Sequence, residues 1–221
     1  GKYTSTFTVP NDPEFFPASK VDLLNDTPTN YEDGGTVRGN FASFNPLFNN
    51  SMTLSQGNFT VAPTGSNRGV GSTFMPSTGK WYFEVEIEDR GSDTQAGICG
   101  DNKAILDTYG GNHANSWCMI LYNTSTDGIK INSGTQTTYG DVYQSADTFQ
   151  CAYDMDAGKV WFGRNGSWFA SGNPATGANA SFTNVSGQAG PQVGSNISGG
   201  TLHLNTGQRS FKYTPPTDFK A

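Results

Sequence analysis

The sequence predicts an all-β protein, and three observations support that fold class. Glycine is abundant, with 28 of 221 residues, whereas the charged residues that favour helices make up only 14% of the chain. Aromatic residues, which suit strands, make up 13%. Short apolar runs alternate with turns that contain Gly, Asn or Asp, a pattern typical of sandwiches and barrels.

Composition also excludes several functional classes. The formal net charge of −6 disfavours binding to nucleic acid, which normally needs a basic face. The 15 Phe, 9 Tyr and 4 Trp residues can bury enough apolar surface to argue against disorder. No stretch approaches the roughly 18–20 apolar residues of a membrane span, so we expect no membrane insertion.

The first 40 residues differ from the rest of the chain. Their prolines are Pro10, Pro13, Pro17 and Pro28. Prolines at this density prevent a regular helix or a central strand, although residues 4–9 could form a short strand. We therefore predict an extended Pro-rich N-terminal arm over residues 1–40 that serves as an attachment segment.

Strand patterns begin after the arm. Residues 51–55 and 58–61 flank Gln56-Gly57 and predict a hairpin. Residues 80–88 form the strongest strand, with Trp81, Phe83, Val85 and Ile87 on one face and Tyr82, Glu84, Glu86 and Glu88 on the other. We expect the first face to be core and the second to be mostly solvated, as in an antiparallel sandwich.

Further strands are expected along the rest of the chain. They cover residues 96–99, 116–122, 129–131, 148–154, 159–162 and 201–205, with a long polar loop at 101–115. The predicted sandwich spans residues 41–206, and residues 207–221 form a C-terminal extension. Trp81, Trp117 and Trp161 lie in apolar runs and are expected in the core.

The cysteines are Cys99, Cys118 and Cys151, each among apolar neighbours. An odd count at long spacing does not form a disulfide framework, so we expect buried reduced thiols. A zinc site is disfavoured, because there is no Cys-x-x-Cys and the two histidines, His113 and His203, are far apart. We predict neither a metal nor a cofactor.

Several polar groups allow two interpretations. Asp154 and Asp156 could form a calcium site or an acid–base pair, but capping of turn amides is favoured. The stripe of glutamates on strand 80–88 could bind a cation or a basic partner, but a solvated strand face is favoured.

His113 could pair with Asp107 as an oriented base, yet no nucleophile elbow accompanies it. His203 alternates with two leucines, which predicts a surface position on a strand.

Some residues that we expect in glycine-rich loops, and Trp168 after a turn, are candidates for ligand contact. Aromatic rings there stack on sugar faces, and neighbouring amides bind hydroxyl groups, so this mixture suits glycan recognition. It suits a protein interface equally well. The candidates are Tyr109, His113, Asn115, Tyr139, Tyr143 and Trp168.

Three motifs occur in an order that resembles the SPRY domain family. Residues 79–85 match its Gly-Lys-x-Tyr-aromatic-Glu-Val strand, and Gly97-Ile98 matches the Gly-Ile strand that follows. Residues 147–162 with Asn165-Gly166 match Asp-x-Asp-x-Gly followed by Asn-Gly. The resemblance covers roughly residues 50–206. It implies a bent antiparallel β-sandwich that binds through loops at one edge, with no catalysis and no cofactor.

The flanking segments are similar to those of SPRY-containing proteins of marine bacteriophages. The similarity lies in residues 26–31 and 44–47 and in residues 205–221, the last of which resemble the pattern Asn-x-Gly-Gln-x-x-Phe-x-Tyr-Thr-Pro-Pro. This resemblance implies a homo-oligomeric component of the phage particle surface, in contact with other virion proteins.

The combined expectation is a non-enzymatic virion surface protein of the tail-fibre or adhesin type. Its loops would contact a glycan or protein receptor on the host. A capsid or tail decoration subunit docked through the N-terminal arm is the alternative. A polysaccharide-degrading enzyme is a weaker alternative, since it requires a pair of carboxylates in a cleft.

Overall fold

The computed structural model describes residues 31–33, 36–38, 41–121, 127–197 and 199–220. The predicted Pro-rich arm and the predicted strand at residues 4–9 lie mostly or wholly outside these ranges. Within the described chain the structure is almost entirely β, and 6% of it is helical. The all-β prediction is therefore confirmed.

The strands follow one another closely along the chain. They are β1 (Tyr31–Asp33), β2 (Thr36–Arg38), β3 (Phe44–Asn49), β4 (Thr53–Ser55), β5 (Thr60–Ala62), β6 (Arg68–Ser72), β7 (Lys80–Asp89), β8 (Thr94–Cys99), β9 (Ser116–Ile120), β10 (Asp127–Asn132), β11 (Thr135–Asp141), β12 (Thr148–Asp154), β13 (Lys159–Arg164), β14 (Ser167–Trp168), β15 (Gly190–Ser195) and β16 (Thr201–Asn205). Short 3₁₀ helices span Lys103–Asp107, Phe169–Ser171 and Pro174–Thr176.

The strands form two seven-stranded antiparallel sheets and one separate hairpin, β1–β2. Sheet 1 has the order β11-β10-β9-β8-β15-β6-β3. Sheet 2 has the order β14-β13-β12-β7-β16-β5-β4. The two sheets form a β-sandwich, as predicted.

The core lies between the inner faces of the two sheets. Alternation along β7 points Phe83, Val85 and Ile87 inward, as the sequence predicts, and each is at most 1% exposed. Sheet 1 contributes Trp117 and Met119 from β9, which are buried to the same degree. Burial of aliphatic and aromatic side chains on this scale is the main stabilising term of the fold.

The turns required by this topology use the residues that the sequence places there. The predicted hairpin at 51–61 is confirmed as β4 and β5, joined through Gln56, Gly57 and Asn58, which all have positive φ. Such φ values favour Gly and Asn. Asp154 Oδ1 accepts the Ala157 N–H in the β12–β13 turn, which confirms the capping interpretation of that aspartate.

The outer face of sheet 1 is covered by the segment between β8 and β9. There the Gly110 N–H donates to Oε1 of Gln95, and Ser116 donates to Oε1 of Gln192 at 2.6 Å. Ile105 and Leu106 of the 3₁₀ helix pack beside Cys99. The stretch predicted as a long polar loop therefore contains buried apolar residues and closes one side of the sandwich.

The outer face of sheet 2 is covered by the C-terminal segment, residues 207–220. Tyr82 and Glu84, expected on a solvated face, are only 1% and 3% exposed. That expectation was wrong for the first half of β7. Phe219 packs on Trp161 at 6.3 Å between ring centroids. Trp161 is thus buried as expected, but on the outer side of its sheet.

The C-terminal segment also extends the hydrogen bonding of β7. The first residues of β7 have β12 on one side, while β16 pairs with β7 only from Glu84 onward. Lys220 fills the open side: its N–H donates to Lys80 O, and its carbonyl accepts the Tyr82 N–H at 2.7 Å. At the edge of β7 opposite β12, the backbone groups of Lys80 and Tyr82 are therefore hydrogen-bonded by Lys220, near the far end of the chain.

Candidate functional site

The six predicted contact residues do not form one site. Tyr139 lies in β11, not in a loop, and is 8% exposed, while Tyr143 is fully buried. The Tyr143 hydroxyl donates to Gly163 O at 2.9 Å, and both rings pack on Phe169. Both side chains are thus part of the packed interior, and neither ring offers a free face.

Trp168 is half-buried beside the C-terminal segment. It lies in β14 and packs on Tyr82 in an edge contact at 6.3 Å. Tyr82, Trp161 and Phe219 form a small second core on the outer side of sheet 2, and Trp168 packs against it. Its position is explained by packing.

The remaining candidates lie in the segment between β8 and β9. His113 Nδ1 accepts the Asn115 N–H at 3.2 Å. Asn132 donates to the carbonyls of Ala114 and Ser116, and Asn184 donates to Asn132 at 3.2 Å. We call His113, Asn115, Asn132 and Asn184 the amide rim. Tyr109, in the same segment, is half-buried against Ile131 and neighbouring residues.

A second polar region, which sequence reasoning missed, lies on the outer face of sheet 2. Thr60, His203 and Glu86 are register partners across β5, β16 and β7, so their side chains form one row on this face. The C-terminal segment covers the face beside this row and leaves Glu86 and part of His203 exposed, while Thr60 is buried. The result is a groove of about 410 Å³, lined by Gln56, Phe59, Thr60, Glu86, His203, Leu204, Gln208 and Arg209. We call it the polar groove.

One ion pair and one imidazole–carboxylate hydrogen bond border the polar groove. Arg209 lies 3.0 Å from the Glu86 carboxylate, and both side chains are about half exposed. His203 Nε2 lies 2.7 Å from Oε2 of Glu88. An exposed ion pair such as Arg209–Glu86 contributes little to stability, so its charges are available to exchange partners on binding. Phe59, which is half-buried, supplies apolar contact area in the groove, whereas the Leu204 side chain points into the core.

His203 is held in a fixed orientation by hydrogen bonds on both ring nitrogens. Its Nδ1 lies 2.8 Å from Oγ1 of Thr60, and its Nε2 faces Glu88. The predicted surface position of His203 on a strand is confirmed. The sequence offered one indication of this cluster, which is the alternation that puts His203 and the glutamates on outward faces. Nothing in the sequence indicated that Arg209, which follows the last strand, belongs to this cluster.

The glutamates of the predicted acidic stripe have different environments. Glu84 is buried and accepts the N–H groups of Lys212 and Tyr213 at 2.9 and 2.8 Å. It also accepts the Tyr82 hydroxyl at 2.8 Å, and burial raises the pKa of that tyrosine well above its usual value. Glu86 and Glu88 pair with a cation and an imidazole, so they border the groove and do not form an unbroken stripe.

The three cysteines are free and buried, as predicted. Burial raises the pKa of Cys118 to about 12, and it raises the pKa values of Cys99 and Cys151 strongly. A thiol in this environment stays protonated and unreactive.

Among the described residues, no group of three or more His, Cys, Asp or Glu side chains could hold a metal ion.

The family model of the SPRY domain matches residues 80–209, which is more than half of the chain. This chain belongs to the SPRY family. The match includes β7, the β12–β13 hairpin and β16, and it ends at Arg209 on the border of the polar groove. The resemblance that the sequence motifs indicated is confirmed at the level of the SPRY family.

Solved SPRY structures share this fold. The SPRY domain of human HERC1 aligns over 76% of this chain and all of its own, with a TM-score of 0.58 and 18% identity. The TRIM65 PSpry domain aligns over 75% of this chain and 92% of its own, with a TM-score of 0.56 and 15% identity. A search among curated proteins found no significant match to the sequence. In the described ranges, no helix is long and apolar enough to cross a membrane.

Proposed function

We propose that this protein is a non-catalytic binding module that recognises a protein partner through the polar groove. SPRY domains typically act as protein–protein binding modules. The observation that carries the proposal is the groove itself, an open concave surface of about 410 Å³ on the SPRY sandwich. It combines the apolar ring of Phe59 with charged groups at its border, as protein-binding surfaces do.

The charges in the groove favour a partner of mixed polarity. Arg209 can donate to a carboxylate of the partner, and Glu86, once released from Arg209, can accept from a partner cation. His203 is already oriented by Thr60 and Glu88, so it loses little side-chain entropy on binding. A partner segment carrying both signs of charge beside an apolar residue matches these groups.

The same residues argue against catalysis. Thr60, His203 and Glu88 form a hydroxyl–imidazole–carboxylate series, which is the order found in hydrolytic triads. However, Thr60 is only 6% exposed within β5, and the Glu88 side chain is 66% exposed. A buried hydroxyl cannot reach a substrate carbonyl, and an exposed carboxylate stabilises an imidazolium weakly. This series is better suited to holding a histidine than to activating a nucleophile.

The amide rim supports a second candidate function, which is contact with a glycan. Asn132 links the backbone next to Asn115 with Asn184, and both Asn115 and Asn184 are exposed residues. Amide side chains of this kind can donate to and accept from sugar hydroxyls. Among the described aromatic candidates, Tyr139 and Tyr143 are buried and Tyr109 is half-buried, so none offers the rim a fully exposed ring. The polar groove is therefore the first choice.

We place this binding module on the surface of a bacteriophage particle, in contact with a host receptor and with other virion proteins. This placement rests on the similarity of residues 26–31, 44–47 and 205–221 to flanks of marine phage SPRY proteins. A decoration subunit attached through residues 1–40 is the alternative. In that case, deletion of residues 1–40 abolishes incorporation into particles, and normal incorporation refutes the alternative.

The test is direct binding to cells. Fluorescently labelled full-length chain is titrated onto a panel of marine bacteria, with and without prior protease treatment of the cells and with free sugars as competitors. Saturable, protease-sensitive binding supports a protein receptor. Protease-resistant binding that sugars displace replaces it with the glycan candidate. Absence of binding to every strain rejects the receptor function and directs attention to particle assembly.

A further inference from the structure

The outer edge of sheet 1 is formed by β11, and it differs from the other sheet edges in this structure. β11 has seven residues, Thr135–Asp141, and pairs with β10 on one side only. Its first four residues, Thr135, Gln136, Thr137 and Thr138, are all exposed and uncharged. An edge strand of this kind presents a row of unpaired backbone N–H and C=O groups that can accept another strand.

The other three edges of the two large sheets are protected in the ways that soluble proteins commonly use. At the opposite edge of sheet 1, β3 contains Pro46 and an irregular register between Phe44 and Asn49. In sheet 2 the edge strands are β14, with two residues, and β4, with three. Short strands, prolines and bulges all hinder edge-to-edge pairing. Within the described sheets, only β11 is both long and unprotected.

We propose that β11 is a self-association edge, at which two copies of this chain pair antiparallel around a two-fold axis. A two-fold axis makes the same strand face itself, and self-pairing of this type is necessarily antiparallel. The absence of charge on this part of β11 favours a second copy of the chain as its pairing partner. The chain carries a net charge of −6, so most contacts between copies bring like charges together, whereas residues 135–138 carry none.

The register of the pairing between the two copies of β11 determines how far apart the two Asp141 carboxylates lie. In a pairing centred on Thr137, this residue lies opposite Thr137 of the second copy, and the two Asp141 residues lie about 27 Å apart. Each Asp141 also has its own cation, since Arg164 lies 3.0 Å away. Cross-strand Thr–Thr pairs contribute favourably in antiparallel sheets. One strand per copy is a small interface, so the dimer is expected to be weak and concentration-dependent.

The test uses the full chain and no other molecule, so its result is independent of the proposed receptor binding. Sedimentation equilibrium is measured over a wide concentration range for the wild type, Thr137→Lys and Thr137→Glu. The wild type is expected to approach twice the monomer mass, and each variant is expected to dimerise at least tenfold more weakly. An equimolar mixture of Thr137→Lys and Thr137→Glu is expected to dimerise again, because the opposite charges meet across the axis.

The matched control is Thr53→Lys, the same change at an exposed position of edge strand β4. It should dimerise like the wild type. The proposal is overturned if the wild type remains monomeric at the highest soluble concentration. It is also overturned if Thr53→Lys weakens the dimer as much as Thr137→Lys does, or if the mixture of the two Thr137 variants stays monomeric. Circular dichroism spectra identical to wild type establish that the variants fold.

Discussion

The carboxylate of Glu84, in the middle of β7, accepts the backbone N–H of Tyr213 at 2.8 Å. This contact joins residues 129 positions apart and fixes the C-terminal segment on the outer face of sheet 2. The segment in turn determines which part of that face is buried and which part remains open as the polar groove. The shape of the candidate site therefore depends on a residue that is not part of it.

Removal of the Glu84 carboxylate should destabilise the whole domain. Glu84→Ala leaves the Tyr82 hydroxyl and the Lys212 and Tyr213 amides without their acceptor. We expect a loss of about 3 kcal/mol in the free energy of unfolding, measured by urea denaturation. The control is Glu86→Ala on the same strand, where an exposed ion pair is lost at a cost under about 1 kcal/mol. Equal losses for the two variants would contradict this account.

Phe219 should be the main apolar anchor of the C-terminal segment. It is 9% exposed and covers Trp161. Phe219→Ala should lower the unfolding free energy by about 3 kcal/mol and shift tryptophan fluorescence to longer wavelength as water reaches Trp161. Ile197→Ala, at a position 46% exposed, is the control and should change neither quantity appreciably. An unchanged emission spectrum in Phe219→Ala would show that the segment does not shield Trp161.

Gly97, in the Gly-Ile motif of β8, should tolerate no side chain. A Cβ there would lie 2.0 Å from the Trp117 carbonyl oxygen and 2.7 Å from Cys118 Cα, both backbone atoms of the adjacent strand. We expect Gly97→Ala to cost about 3 kcal/mol or to prevent folding. In the control, Gly65→Ala, the nearest group is the flexible Arg68 side chain, and the effect should be small. Wild-type stability of Gly97→Ala would refute the close approach of β8 and β9.

Stability should fall at alkaline pH because of the buried thiols. Burial raises the pKa of Cys118 to about 12, whereas an unfolded thiol ionises near 8.5. Below about pH 8.5 both states hold the proton, so the stabilisation is fully present. Between about 8.5 and 12 the unfolded state releases it while the folded state retains it, so stability declines by about 1.4 kcal/mol per pH unit for this thiol.

The measurement is urea denaturation between pH 8 and 11, compared with Cys118→Ala. The variant should lose stability less steeply, by about 1.4 kcal/mol per pH unit, although its stability at pH 7 is lower. Parallel pH profiles for the two proteins would show that Cys118 is not a proton-retaining site. Iodoacetamide should label none of the three native thiols until the protein unfolds, because all three are buried.

Local patterns predicted much of this fold. Alternation places Phe83 and Leu204 inward and His203 outward, because side chains in a strand alternate between faces whatever the rest of the chain does. The Asp154 cap was predictable because its acceptor and donor lie three residues apart. The SPRY motifs predicted the fold, since they occur on β7, β12 and β13 of sheet 2 and on β8 of sheet 1.

The candidate site was harder to predict, because distant contacts define it. Nothing near Glu84 indicates that residues 212 and 213 will bury it. Tyr139 and Tyr143 were expected in glycine-rich loops, but Phe169 packs on both rings and removes them from the surface. Arg209 became a groove residue only because the chain turns back over sheet 2 after β16.

The most direct test of the central claim is quantitative binding of labelled full-length chain to a susceptible bacterial strain, compared between Arg209→Glu and Lys103→Glu. The two variants carry the same change in charge, but Arg209 borders the polar groove, whereas Lys103 is an exposed residue of the 3₁₀ helix over sheet 1. We predict that Arg209→Glu weakens binding at least tenfold and that Lys103→Glu binds like the wild type. Wild-type affinity in Arg209→Glu, or equal loss in both variants, would contradict recognition through the polar groove.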